Sequence, residues 1–260
     1  MTFWDHLDEL RTVLIRIMAV VAVLTVVSFI FKESIFSFVF APKESSFVLY
    51  MLIERAAHLL GIDGGGVSQF SISLVSTQLA SQFITHMKMS LCTALLLSSP
   101  YILYLLLRFV TPALYEHERR YAVPVVTCGY LLYLIGAAVS YLFVFPLAVR
   151  FLGTYQVSAE VTNLITLDSY ISTFVMLTLL MGLMFELPII CWLFAKMGFI
   201  DAPFLCRYRR HAFVIILVVG TVITPTADVF TLLLVSIPIY LLYEVSIGVV
   251  KQVSWYTTHG

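Results

Sequence analysis

Apolar residues gather along the chain into runs of about twenty, separated by short segments that hold most of the charge. A helix rising 1.5 Å per residue needs about that length to cross a hydrocarbon core of roughly 30 Å. The runs predict spanning helices over 12–31, 86–110, 123–145, 170–194 and 229–250. A shorter run, 212–224, stops at Pro225 after about 20 Å of helix, and Pro238 lies inside the run that follows. These last two form a short hairpin beside which the bilayer thins. The pattern is that of an all-α polytopic membrane protein with six transmembrane helices, the last two short.

The segments between runs carry finer signals. Before the first span, Phe3, Leu7 and Leu10 fall on one helical stripe and Asp5, Asp8 and Glu9 on another, with Thr2 and Asp5 at capping-box spacing. Such a helix is expected to lie at the interface before turning into the span, with Asp8 and Arg11 close enough to pair. Residues 32–83 read as an extracytoplasmic cap within a single domain over 1–260. Pro42 breaks the start of the cap, Tyr50 to Leu60 has helical spacing, and Phe70, Ile72 and Leu74 alternate with serines as in a strand. The glycine run at 64–66 lacks the Gly-Lys-Ser/Thr ending of a phosphate loop. Pro100 is expected to kink the second span and Pro146 to close the third.

Composition agrees with this picture: 61% of residues are hydrophobic and 12% charged, where a soluble domain carries about 25% charged residues. Formal net charge is zero, which argues against nucleic acid as a partner. The first apolar run has no small-residue cleavage pattern and reads as a span, not a removed signal. Of the 15 basic residues, Arg11, Arg16, Arg108, Arg119, Arg120, Lys196, Arg207, Arg209, Arg210 and Lys251 fall on one side of the predicted topology. That bias places both termini in the cytoplasm. The four cysteines show no metal spacing.

The densest charge is Glu116, His117, Glu118, Arg119 and Arg120, between the second and third spans. Arginines there hold the loop in the cytoplasm, but acids contribute little to orientation. Glu118 and the distant Glu9 are therefore read as a carboxylate site for a cationic ligand. Glu186 stands inside a span, where an acid costs about 2.5–3.5 kcal/mol on insertion scales and faces a cavity or a partner. A protonated Glu186 beside Pro188 is placed to donate to a freed carbonyl. Catalysis fails on inventory: His117-Glu118 opens like a zinc-protease motif, but Tyr121 stands where the second histidine belongs. No enzyme activity, metal or cofactor is expected. At this level a protein translocase subunit and a small-solute transporter both stand, the latter without an internal repeat to support it.

The chain resembles the TatC family of the twin-arginine protein translocase over nearly its whole length. The resemblance rests on His6-Leu7-Asp8-Glu9-Leu10-Arg11, Ala41-Pro42, Thr111-Pro112-Ala113-Leu114-Tyr115, His117-Glu118-Arg119-Arg120, Phe185-Glu186-Leu187-Pro188, and Thr224-Pro225 with Asp228. It implies a receptor for twin-arginine signal peptides and the core of a translocase that exports folded proteins across the bacterial inner membrane. It further implies single-span TatA/TatB-type partners, a homo-oligomer within the complex, and the proton-motive force as energy source. By the same resemblance, Glu9 and Glu118 bind the signal, and Arg11, Phe109 and Arg120 shape that site. Pro42, Glu186 and Asp228 match positions implicated in assembly or transport, and Thr221 and Thr224 supply polarity on the partner-docking face. The chain departs from the family in having Leu232 for a glutamine, Ala227 for a proline, and no acid over 79–83.

Overall fold

The computed structural model describes residues 3–44, 46–59, 72–110, 122–156, 158, 163–224 and 228–259. Helix α1 (Phe3–Ile30) enters the bundle as one continuous rod. The amphipathic stretch at its start is thus not a separate interfacial helix that turns in. Nothing in 10–12 breaks a helix, so the polar turns simply prolong the apolar ones. Thr2 lies outside the described residues.

After α1 come α2 (Lys32–Phe40), a 3-10 turn (Ala41–Lys43) and α3 (Val48–Leu59). Pro42 sits in the first turn of the 3-10 segment, where its missing N–H would have no partner anyway. A two-residue strand β1 (Leu74–Val75) pairs in parallel with β2 (Ile165–Thr166). The strand signal therefore falls later than the serine alternation places it; Phe70 and Ser71 lie outside the described residues.

Helix α4 (Ser81–Val110) runs through Pro100 and packs along α1. Helix α5 (Ala122–Val139) passes through one wide π turn (Ser140–Val144) into α6 (Phe145–Thr154). Pro146 does not close the third span. It occupies the first turn of α6, and the Phe145 N–H reaches back to the Ser140 carbonyl, so the wide turn absorbs the proline and the helix continues.

Helix α7 (Leu167–Met184) starts at Thr166, whose hydroxyl accepts the Ser169 N–H at 3.2 Å. Helix α8 (Leu187–Lys196) ends in a Schellman turn. Gly198 adopts φ +75°, its N–H bonds Ala195 O at 3.1 Å, and Phe199 N–H bonds Phe194 O at 2.9 Å, with the two phenyl rings in contact. Helix α9 (Ala202–Arg207) precedes α10 (Arg209–Ile223) and α11 (Val229–His259).

Among the described residues, five helical runs are long and apolar enough to cross a membrane: Leu7–Ile30, Ser81–Phe109, Pro124–Thr154, Leu167–Lys196 and Val229–Gln252. The sixth crossing is α10, whose 15 residues span about 22 Å. The expectation of two short final spans is corrected here: only α10 is short. Helix α11 has 31 residues, because neither Pro238 nor Lys251 stops it.

We call the side where α1 begins the proximal face. Helix α4 ends there and α5 starts there; α8 ends there, α10 starts there and α11 ends there. The distal face holds α2, α3 and the strand pair. The core sits between them, where Phe145 stands edge-on to Tyr170 (5.0 Å) and Phe174 (5.1 Å). Helices α5 and α7 approach closely: a Cβ on Gly136 would stand 2.8 Å from Met181 O, and one on Gly182 2.8 Å from the Tyr133 ring.

Candidate cation-binding site

On the proximal face, α1 and α4 together border a cavity of about 290 Å³. It is bordered by Asp8, Glu9, Thr12, Val13 and Arg16 from α1 and by Leu105, Arg108 and Phe109 from α4. Val13 and Leu105 are buried and form an apolar floor. The Glu9 carboxyl is half-buried, and its Oε2 is shielded from water with no hydrogen-bond partner among the described residues. A shielded carboxylate oxygen without a donor loses water and gains nothing in return, a deficit that an incoming N–H donor removes. That one Glu9 oxygen, and not the cavity as a whole, lacks a donor, since Thr12, Arg16 and Arg108 also border the space; a planar guanidinium is a donor of the kind a carboxylate takes.

The sequence-derived residues do not all meet there. Glu9 and Phe109 share the cavity. Arg11 is exposed and does not border it. Glu118 and Arg120 lie outside the described residues. Asp8, Arg16 and Arg108 border the cavity although the sequence reading gave them no part in the site. In the sequence, topology alone accounts for the two arginines, and pairing with Arg11 for Asp8. Between described residues, ion pairs join Lys88 to Asp168 and Arg209 to Glu244, and none joins Asp8 to Arg11.

Glu186 occupies the turn between α7 and α8 and is buried. It lines a second cavity of about 200 Å³ whose other walls, among them Leu103, Val125, Gly129, Leu183 and Ile189, are apolar. Helix α5 approaches it through Gly129, where a Cβ would stand 3.1 Å from Glu186 Oε2. Oε1 is buried and has no hydrogen-bond partner among the described residues, so it makes no donation to a carbonyl freed by Pro188.

The remaining positions hold structural contacts. Pro42 is buried, and its carbonyl accepts from the Tyr50 hydroxyl at 3.1 Å, within reach also of Pro146 O at 3.0 Å. Tyr170 donates to Val39 O at 2.9 Å and Tyr141 to Phe38 O at 2.8 Å. Three tyrosine hydroxyls thus fasten the distal segment to the bundle, a device the sequence did not disclose. Burial raises the Tyr50 pKa, partly offset by Arg150, so the hydroxyl stays a donor.

Asp228 caps α11 by accepting the Thr231 N–H at 2.7 Å. Thr224 is buried and donates to Gly220 O at 3.0 Å, whereas Thr221 is exposed and donates to Leu217 O at 2.9 Å. Leu232 fills the space over Gly220, where an added Cβ would come within 2.8 Å of its Cδ1.

Comparison with known proteins gives a single result. The family model for TatC, the Sec-independent protein translocase protein, matches residues 5–238. The TatC of Blattabacterium sp. subsp. Periplaneta americana (strain BPLAN) is 31% identical over 257 residues, 98% of this chain and 96% of that protein. The TatC of Escherichia coli (strain K12) is 34% identical over 247 residues, 93% and 85% of the two chains. Among solved structures, the twin arginine translocase receptor TatC superposes with a TM-score of 0.77 at 31% identity, covering 96% of this chain and 99% of that one.

Proposed function

Because the chain belongs to the TatC family of Sec-independent protein translocases, we propose that it is the receptor for twin-arginine signal peptides and the core subunit of its translocase. Membership makes it a transport protein and not an enzyme, and it sets aside the solute-transporter reading. The observation that carries the receptor assignment is the cavity between α1 and α4, in which a Glu9 oxygen is shielded and has no partner among the described residues.

Binding two guanidinium groups takes at least two acids. Glu9 is the first, and Glu118 is the second in this proposal, carried by the segment that joins the proximal ends of α4 and α5. Each charge-assisted hydrogen bond contributes about 1.5–3 kcal/mol when partly desolvated. Phe109 offers an aromatic wall on which a guanidinium stacks. Arg16 and Arg108 supply donors for the carbonyls of an extended peptide, and Arg11 and Arg120 act from the rim. A lysine pair carries the same charge but not the planar fork.

The rest of the assignment follows from membership and is ours. The proximal face, rich in arginine, lies in the cytoplasm, with both termini on that side of a bacterial inner membrane. Folded precursors are passed on with single-span TatA/TatB-type subunits, in an assembly holding more than one copy of this chain, driven by the proton-motive force. The exposed apolar face of α10, with Thr221 on it, is the surface offered to such a helix. Pro42, Glu186, Thr224 and Asp228 serve assembly or transport by fixing the shape of the bundle around that surface.

The test is photo-cross-linking of a twin-arginine signal to the purified protein. Glu9→Ala and Glu118→Ala should each abolish the cross-link, and a lysine pair in the ligand should weaken it. Undiminished cross-linking in both variants would remove the site assignment.

A further inference from the structure

We propose that Asp8 is a second carboxylate of the α1–α4 cavity, beside Glu9, reading a basic side chain that flanks the arginine pair; the inference rests on the receptor reading above. Asp8 and Glu9 are consecutive, so their side chains leave α1 about 100° apart. Both nevertheless border one cavity, because the cavity wraps around two ridges of the helix. One ridge carries Asp8 and Thr12; the other carries Glu9, Val13 and Arg16. A peptide lying across α1 with a guanidinium on Glu9 brings its neighbouring side chain over the Asp8 ridge.

The Asp8 carboxylate is uncommitted. Its backbone carbonyl accepts the Thr12 hydroxyl at 2.9 Å, but among the described residues its side chain has no hydrogen bond and no ion pair. Arg11, one turn away, and Arg16 and Arg108, on the same cavity, leave it unpaired. Asp8 is also exposed, unlike Glu9. An exposed carboxylate keeps its water and gains less from a cation than a shielded one, so its role is discrimination among ligands and not the main grip. It selects for net positive charge beside the pair, and its contribution falls with salt.

The experiment titrates two labelled twin-arginine peptides into the purified full-length protein in detergent, one with a lysine beside the pair and one with a neutral residue there. The wild type should favour the lysine peptide by about three- to fivefold, the scale of an exposed ion pair. Asp8→Asn should bring that ratio to about one, while Asp8→Glu should retain it. A ratio unchanged in Asp8→Asn overturns the proposal, as does an Asp8→Glu variant that loses the preference along with Asp8→Asn. Glu9→Gln separates the two readings: it should weaken both peptides and leave their ratio in place. Failure of the wild type to bind either peptide overturns the receptor reading and this inference with it.

Discussion

At the scale of single residues, the informative groups are those whose polar atoms lack what their surroundings demand. Glu9 holds a shielded oxygen with no donor among the described residues, whereas Tyr50 is buried with its hydroxyl engaged. The first is the group the proposed site is built on and the second fastens the scaffold, and their substitutions should differ accordingly. Tyr50→Phe leaves carbonyls without a donor on the distal segment and should lower unfolding stability by about 1–3 kcal/mol. Thermal unfolding in detergent checks it. The Tyr50 pKa is raised in the folded protein, so this contribution is complete below the ordinary tyrosine range near 10 and declines as pH rises beyond it. The gap between wild type and Tyr50→Phe should therefore be flat from neutral pH to about 10 and narrow above. A gap that narrows below pH 8 would contradict the assignment. Glu9 was legible in the sequence because an acid next to a span needs a reason. Tyr50 was not: its partners lie 8 and 96 positions away, and only the fold brings them to one hydroxyl.

At the scale of helices, contact distance is set by glycine and by the way prolines are absorbed. Gly136 lets α5 sit against the Met181 carbonyl, where a Cβ would stand 2.8 Å from the backbone oxygen. Backbone cannot yield as a side-chain tip does, so Gly136→Ala should destabilise the bundle by about 1–3 kcal/mol. Gly248, with nothing within 4 Å of an added Cβ, is the control, and its alanine variant should melt with the wild type. Equal melting of all three proteins would remove the close-contact account. Helix existence was readable from run length alone. Helix ends were not, because a proline reads as a stop wherever it stands. Pro146 instead enters the first turn of α6 after a wide turn, and α11 continues past Lys251 because a lysine near a membrane face keeps its charge in water.

At the scale of the whole molecule, a short α10 sits among longer helices. Its 15 residues cover about 22 Å against a hydrocarbon core of about 30 Å. Lipid beside α10 must thin or the helix must leave water-seeking groups in hydrocarbon. Spin labels at Val218 and Val222, both exposed, should report greater access to a water-soluble relaxant than labels at Met18 and Val23 on α1. Equal access along both helices would contradict local thinning. The six-pass architecture was legible because hydrocarbon thickness fixes run length. The site was legible only in part: Glu9 and Phe109 border one cavity, but that cavity depends on how α1 and α4 pack, which the sequence does not display. Arg16 and Arg108 had an adequate topological explanation, and nothing in their spacing marked them as walls. The account comes down to acids on the proximal face holding paired guanidinium groups, and peptide affinity measures that directly. A labelled twin-arginine peptide titrated against wild type, Glu9→Gln and Glu118→Gln should lose about ten- to a hundredfold in affinity in each variant, with folding retained. Affinities within twofold of wild type in both variants would contradict it.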